Sequence, residues 1–245
     1  MVHNTTMALP TVILPGYLAG ATPYRPLEKT LNEMGLPTMV VPLRRWDWLP
    51  TVGGRSVTTI IQKLHETVQV MRHRHGDSQV NLVGHSAGGW IARIYLGDMP
   101  YGVHGSDRPT PPTWNAQRYV HTLVCLGTPH LSQERWTRRN LDFVNDHYPG
   151  AFYQHIRYIC VAGKSVQGSR RWYGPSFAYQ SYQLTYGQGD CWGDGITPIA
   201  AAHLDGADNL TIEQVNHSPR PGQLWYGSES ILPYWVKYLL HTISS

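Results

Sequence analysis

The sequence contains no run of roughly eighteen apolar residues, the length that a transmembrane helix requires. Residues 1–6 also lack the basic start that precedes the apolar core of a secretory signal. Charged residues make up only 15% of the chain, and the net charge of +4 comes from scattered Lys and Arg side chains. Because nucleic-acid-binding proteins cluster these side chains, we expect no nucleic-acid partner. The sequence predicts a protein that is cytoplasmic or peripheral to a membrane.

Cysteine is scarce, with 3 residues, and their spacing matches no metal-binding pattern. Cys125 and Cys160 lie in apolar runs, where a cysteine is usually a buried, unreactive thiol. His65, His73 and His75 lie on or beyond a predicted helix and are interpreted as solvated side chains. We therefore expect neither a metal ion nor a cofactor.

Phenylalanine is also scarce: the chain has 3 Phe beside 9 Trp and 15 Tyr. Trp and Tyr suit boundaries that are apolar on one side and wet on the other. Trp-rich loops are compatible with a closed pocket and with a lipid-facing rim, so peripheral membrane contact is one hypothesis. The sequence indicates no particular oligomeric state.

One segment, residues 80–89, reads Val-Asn-Leu-Val-Gly-His-Ser-Ala-Gly-Gly and leads from an apolar run into an amphipathic stretch. That order predicts a strand, a sharp turn and a helix. Gly84 and Gly88 allow the strand and the helix to approach closely. The helix N-terminus directs N–H groups and a positive dipole toward Ser86. Ser86 is therefore the candidate nucleophile.

Apolar runs alternate with helical periodicity, which is typical of an α/β fold with a mostly parallel central sheet and helices on both faces. No repeat or linker divides the chain, so a single domain over residues 1–245 is predicted. The segments at about 101–116 and 165–189 are predicted to be lid or cover loops, with passive surface loops as the alternative. Predicted strands are 11–14, 38–43, 80–83, 119–126, 156–162 and 209–215, and predicted helices are 24–35, 57–74, 88–96 and 228–241.

A serine nucleophile needs a base, and the base needs a carboxylate that fixes its tautomer. In this type of fold the acid follows the serine along the chain and the base comes last. Asp194 lies between two glycines, in a loop that can present a carboxylate inward. Asp190, Asp205 and Asp208 are alternatives that are interpreted as turn or cap residues. Asp194 is therefore the candidate acid.

The candidate base is His217, which follows the predicted strand 209–215 almost at once. A loop just beyond a late strand is where the base should lie. His203 follows three alanines in a predicted helix, and His241 falls in the predicted terminal helix. Both remain alternatives.

The oxyanion that forms on nucleophilic attack needs two N–H donors. Ala87, next to the nucleophile, supplies one. The loop Leu14–Leu18 reads Leu-Pro-Gly-Tyr-Leu after the first core strand, and the N–H of Tyr17 is the candidate for the other. A plain turn at Pro15-Gly16 is the alternative interpretation.

These motifs together resemble the α/β-hydrolase superfamily and, within it, the lipase-like serine esterases. The nucleophile segment Gly84–Gly89 matches the lipase form of the motif, and Leu126–His130 is similar to the Leu-Gly-Thr-Pro-His element of lipases. Pro15 stands where the oxyanion loop of that family usually has histidine. The resemblance spans roughly residues 11–243. It extends to the lipase-like hydrolases of plants and cyanobacteria and, more distantly, to GPI-inositol deacylases.

The resemblance implies a serine hydrolase that cleaves carboxylic esters, of lipid or acyl type, through an acyl-enzyme on Ser86, Asp194 and His217. An acyltransferase or thioesterase with the same triad is an alternative, and a non-catalytic fold that binds lipid or a partner is another. The candidate walls of the substrate site are Leu18, Trp46, Trp48, Trp192 and Trp225.

Overall fold

A computed structural model describes residues 5–103, 111–170 and 176–243 of the chain. The strands are β1 (Thr5–Ala8), β2 (Thr11–Leu14), β3 (Thr38–Val40), β4 (Val80–His85), β5 (Val120–Leu126), β6 (Arg157–Lys164), β7 (Val166–Gln167), β8 (Trp192–Gly193), β9 (Asp208–Glu213) and β10 (Leu240–Ile243). The helices are α1 (Arg25–Glu33), α2 (Thr58–Arg74), α3 (Ala87–Leu96), α4 (Arg135–His147), α5 (Ser176–Tyr186), α6 (Ile199–Ala202) and α7 (Leu232–Trp235).

Six of these strands form the central sheet, in the order β3-β2-β4-β5-β6-β9. Each neighbouring pair in that sheet is parallel. The carboxyl ends of its strands therefore meet at one edge, and that edge is where ligands bind in open α/β sheets. The predicted parallel sheet with surrounding helices is confirmed.

The sheet is buried on both faces because its strands alternate their side chains between two apolar cores. Val12 and Leu82 point into a core that they share with α2 and α3. Ile13 and Val83, one residue further on, point into the opposite core, which contains α1 and the segment around α7. Near-continuous apolar runs such as 11–14 follow from this burial on both sides.

The terminal helix predicted over 228–241 is wrong. Only α7 is α-helical there; a 3₁₀ turn follows over Val236–Leu239, and β10 then pairs antiparallel with β1. Pro233 lies in the first turn of α7, since a proline further inside a helix lacks the required N–H and clashes with the preceding turn. Leu240, within the range of the predicted helix, instead begins β10 and is 43% exposed.

Part of the predicted lid segment 101–116 lies outside the described residues, as does 171–175 within the segment 165–189. The second segment was predicted as an irregular loop, yet it contains the helix α5. Among the described residues no helix combines the length and apolarity needed to cross a bilayer.

Candidate active site

Ser86 occupies the turn between β4 and α3, at the carboxyl edge of the sheet. Its backbone has φ 53° and ψ −125°. A residue with a side chain rarely adopts positive φ, and holding one there costs roughly 1–3 kcal/mol. Strained backbone of this kind is typical of a nucleophile turn, where it raises the side chain above the sheet.

Small residues after Ser86 allow three segments to meet. A Cβ atom on Gly88 would overlap the carbonyl oxygen of Leu14, at the end of β2. A Cβ atom on Gly89 would overlap Oγ1 of Thr128, in the loop after β5. Gly88 and Gly89 are therefore required by packing, because they let the start of α3 contact the end of β2 and the loop after β5.

His217 and Asp194 form a buried pair. Nδ1 of His217 lies 2.7 Å from Oδ2 of Asp194, and the two side chains are 9% and 0% exposed. A carboxylate can only accept a hydrogen bond, so Nδ1 carries a proton, and the tautomer that this bond selects has its lone pair on Nε2. The backbone N–H of His217 also donates to the carbonyl of Asp194, at 2.9 Å.

The carboxylate of Asp194 accepts further hydrogen bonds. Oδ1 receives the backbone N–H groups of Ile196 at 3.0 Å and Thr197 at 2.7 Å, and Oδ2 receives the hydroxyl of Tyr226 at 2.6 Å. Burial raises the pKa of Asp194, but the interactions with His217, Tyr226 and Thr197 outweigh burial and hold that pKa below its usual value. The carboxylate is therefore ionised at neutral pH.

Ser86 and His217 lie at the same edge of the sheet, joined through His85. The ring centroids of His85 and His217 are 4.9 Å apart, and His85 precedes Ser86 directly. The described residues contain no hydrogen bond between the hydroxyl of Ser86 and His217. Such a contact between nucleophile and base is often long until substrate binds.

The two candidate oxyanion donors face no internal acceptor. The N–H groups of Tyr17 and Ala87 take part in no hydrogen bond among the described residues. The loop that carries Tyr17 is held by a bond from the N–H of Ala19 to the carbonyl of Gly16, at 3.0 Å, and by Leu18 at φ 57°. Two unused donors beside a serine are what an oxyanion site requires.

Two small cavities border the candidate triad. One, of about 230 Å³, lies against Ser86, and the other, of about 240 Å³, lies against His217. The first is lined by Tyr17, Thr51, Gly53, Gly54, Val57, Ser86, Ala87, Trp90, Pro129, Glu134, Thr137 and Asn140. The second is lined by Val166, Phe177, Ala178, Asp194, Gly195, Ile196, Asn216, His217, Ser218, Arg220 and Gln223.

The predicted substrate-wall residues are dispersed, and none of them lines either cavity. Leu18 and Trp46 are exposed, at 44% and 64%. Trp48 is fully buried and supports the ring of Tyr17 edge-on, with the centroids 5.3 Å apart. Trp48 therefore packs beneath Tyr17 and does not form a wall of either cavity.

The two later tryptophans lie elsewhere. Trp225 is buried against Tyr24, with ring centroids 5.9 Å apart. Trp192 is 43% exposed and lines a separate groove beside Tyr179. Counting tryptophans in loops therefore did not identify the cavity walls.

Sequence reasoning did not single out Tyr226, Tyr24 or the polar residues of the Ser86 cavity, such as Asn140. Tyrosine and asparagine have no spacing rule that separates a buried, hydrogen-bonded side chain from a solvated one. For the cavity residues of α4, the only sequence signal was their position shortly after the Leu126–His130 element.

A buried cluster of Cys125, His130 and Cys160 has ligand atoms within 4.8 Å of one another. Arg93 Nη1 lies 3.3 Å from Nδ1 of His130, and a guanidinium only donates, so Nδ1 is the acceptor. Nε2 then carries the proton and points at Sγ of Cys160, 3.4 Å away. With no lone pair on Nε2 for a metal ion, this cluster is a hydrogen-bonded part of the core.

The sheet order, the serine turn at the end of β4 and the late Asp–His pair follow the α/β-hydrolase plan. This chain has the α/β-hydrolase fold. No family model and no curated sequence matches it.

Solved structures match nearly the whole chain. The mature Bacillus licheniformis lipase BlEst2 aligns with a TM-score of 0.63 and 18% identity, over 99% of this chain and 96% of that one. Phospholipase PlaB from Legionella pneumophila aligns with a TM-score of 0.59 and 12% identity, over 94% of this chain and 59% of that one. Monoacylglycerol lipase from Paleococcus ferrophilus aligns with a TM-score of 0.51 and 11% identity, over 98% of each chain. At these identities the likeness shows the fold.

Proposed function

We propose that this protein is a serine hydrolase that cleaves carboxylic esters through an acyl-enzyme. The observation that supports it best is the buried Asp194–His217 pair at the sheet edge that also holds Ser86 on its strained turn. The lipases and esterases among the solved structures of this fold favour the same reaction.

In the proposed reaction, Nε2 of His217 takes the proton of the Ser86 hydroxyl as Oγ attacks the ester carbonyl. The carbonyl oxygen becomes an oxyanion that the N–H groups of Tyr17 and Ala87 stabilise. The alcohol then leaves with the proton from His217, and the acyl group stays on Ser86. Water, deprotonated by His217, attacks the acyl carbon, and the acid is released as the proton passes from His217 to Oγ of Ser86. Asp194 holds His217 in the required tautomer.

The size of the Ser86 cavity suggests a compact acyl group. At about 230 Å³ the cavity is smaller than the roughly 300–1,000 Å³ of typical ligand pockets. Tyr17, Val57, Trp90 and Pro129 give it apolar walls. We therefore propose that butyryl esters are cleaved faster than palmitoyl esters of the same alcohol.

Exposed apolar side chains that neighbour the lining residues of the Ser86 cavity in the sequence support a peripheral contact with lipid. Leu49 and Val52, which lie close to the cavity along the chain, are 65% and 44% exposed, and Trp46 is 64% exposed. Exposed apolar side chains that cluster often mark a contact surface. We propose that Trp46→Ser lowers sedimentation with phospholipid vesicles while leaving hydrolysis of a water-soluble ester unchanged.

The segment at about 165–189 contains α5, which borders the His217 cavity. Phe177 of α5 is 68% exposed, and it lines the His217 cavity together with Ala178. We propose that α5 forms one wall over the site where the leaving group departs.

The experiment that tests the function is hydrolysis of p-nitrophenyl esters by wild type, Ser86→Ala, Asp194→Asn and His217→Ala. We expect kcat to fall by roughly 10⁴-fold to 10⁶-fold in each variant, because the three residues act as one unit. The alternative acid and base give matched controls: Asp190→Asn and His203→Ala should keep wild-type rates.

Other outcomes would redirect the proposal. Faster transfer of the acyl group to an added alcohol than to water would make the protein an acyltransferase. A wild type that neither hydrolyses esters nor reacts with a fluorophosphonate at Ser86 would contradict catalysis by this site and favour a binding protein.

A further inference from the structure

A chain of buried hydrogen bonds links the oxyanion loop to the loop of the base. The N–H of Gly16 donates to the hydroxyl of Tyr24, at 3.0 Å. That hydroxyl lies 2.7 Å from Nδ1 of His85, and Nε2 of His85 lies 2.7 Å from the carbonyl oxygen of His217. Tyr24 and His85, here called the Tyr24–His85 bridge, thus connect two loops that are far apart in the sequence, at Gly16 and at His217.

The direction of each bond in the bridge is determined by chemistry. The carbonyl of His217 can only accept, so Nε2 of His85 carries the proton and Nδ1 must accept. The hydroxyl of Tyr24 therefore donates to Nδ1 while its oxygen accepts from Gly16. Burial lowers the pKa of His85 to about 3 and raises the pKa of Tyr24 to about 12, so both groups stay neutral in this arrangement.

Aromatic rings surround the bridge, and both of its side chains are buried. The ring centroid of His85 lies 6.0 Å from those of Trp225 and Tyr226, and His85 is 3% exposed. A buried polar group that loses its partner bears the full cost of its desolvation. The loss of any one hydrogen bond in the bridge therefore leaves a buried polar group without its partner.

The bridge ends on backbone that the proposed reaction uses. Gly16 precedes Tyr17, and a Cβ atom on Gly16 would lie only 3.0 Å from Cβ of Ser86. At the other end, the carbonyl of His217 is held by His85 while its N–H is held by Asp194. A shift in the bridge would move the oxyanion donor and the base relative to Ser86.

We propose that Tyr24 and His85 are positioning residues, which hold the oxyanion loop and the loop of the base at a fixed spacing around Ser86. This inference rests on the proposed function. Neither residue is placed to touch substrate, so both act through Tyr17 and His217.

The test compares Tyr24→Phe, His85→Met and His85→Gln with wild type. Tyr24→Phe and His85→Met should lower kcat by about tenfold to a hundredfold with little change in KM, because a small misplacement of reacting groups is costly. His85→Gln, which keeps an N–H₂ donor in a side chain of similar size, should recover much of the rate. The affinity of each variant for a trifluoromethyl ketone inhibitor, which binds as an oxyanion, should fall in proportion to its kcat/KM.

A matched control separates positioning from loss of stability. Tyr95 is a buried tyrosine whose hydroxyl bonds Tyr119 at 2.9 Å, away from Ser86. Tyr95→Phe should lower the melting temperature but leave kcat unchanged. The double variant Tyr24→Phe/His85→Met should lose less than the product of the single losses, since both changes break one chain of bonds.

Two results would overturn the proposal. If Tyr24→Phe and His85→Met keep wild-type kcat and inhibitor affinity while Ser86→Ala is inactive, the bridge is structural only and the proposed function stands. If wild type shows neither hydrolysis nor fluorophosphonate labelling, the proposed function fails and the bridge has nothing to position.

Discussion

Asp194 is fully buried, yet four donors surround its carboxylate. Two come from the backbone of its own loop, at Ile196 and Thr197, and two come from the side chains of His217 and Tyr226. Each donor favours the ionised form, which burial alone would disfavour. The cost of an ionised carboxylate in the core is thus offset by hydrogen bonds that also orient it toward His217.

Removing the Tyr226 hydroxyl should weaken this arrangement. In Tyr226→Phe, Oδ2 of Asp194 loses one of its two side-chain donors, so the pKa of Asp194 rises. A hydrogen bond to a charged group contributes about 1.5–3 kcal/mol, so we expect kcat/KM for a p-nitrophenyl ester to fall by about tenfold to a hundredfold. Tyr158→Phe, at a buried tyrosine of β6, is the control. Equal rates in Tyr226→Phe and wild type would show that the hydroxyl does not support Asp194.

The turn after β4 requires glycine at Gly89 for contact with the loop after β5. A methyl group there would overlap Oγ1 of Thr128, and Cβ and Cγ2 of that residue would each be 2.8 Å away. Gly222 offers a comparison, since its φ of 73° is strained for alanine but no atom lies within 4 Å of the position that a methyl group would take.

Gly89→Ala should therefore destabilise the fold by about 1–3 kcal/mol through overpacking. Gly222→Ala should cost about 1 kcal/mol, from backbone strain alone. Thr128→Ala removes two of the three crowding atoms and should recover part of the loss in the Gly89→Ala background. Chemical denaturation measures all of these, and a Gly89→Ala variant as stable as wild type would refute the packing argument.

The elements that sequence predicts best are those with local signals. The apolar period of α2 and the glycines around Ser86 are patterns formed by residues close together in the sequence. Helix α2, strand β4 and helix α3 were therefore predicted close to their observed bounds. Strand β10 was missed because it forms only by pairing with β1, at the other end of the sequence. Long-range pairing of this kind leaves little trace in a local pattern.

The candidate site likewise contains residues with a local sequence signal and residues without one. Ser86, Asp194 and His217 were candidates because motif order and loop chemistry are visible in the sequence, and their roles remain predictions. Tyr24 and Tyr226 were not visible, because a tyrosine becomes a hydrogen-bond partner only through the packing that buries it. The residues that sequence analysis missed are thus those whose partners lie far away in the sequence.

The molecule as a whole should lose stability in acid because two histidines are buried in their neutral form. Burial lowers the pKa of His85 to about 3, and burial together with Arg93 holds the pKa of His130 well below its usual value. The unfolded chain binds a proton on each histidine near pH 6.5. Below that pH the unfolded state therefore binds more protons than the folded state, so the free energy of unfolding falls as the pH falls.

Each such histidine should contribute a slope of about 1.4 kcal/mol per pH unit between pH 6.5 and its folded pKa. His85 alone, with a folded pKa of about 3, would remove about 2 kcal/mol between pH 6.5 and pH 5, against the roughly 5–15 kcal/mol that stabilises a typical domain, and His130 adds a loss of the same sign. Urea denaturation at a series of pH values measures the slope, which His85→Gln and His130→Gln should each reduce and exposed His73→Gln should not. An unchanged slope in both buried variants would show that other groups control acid unfolding.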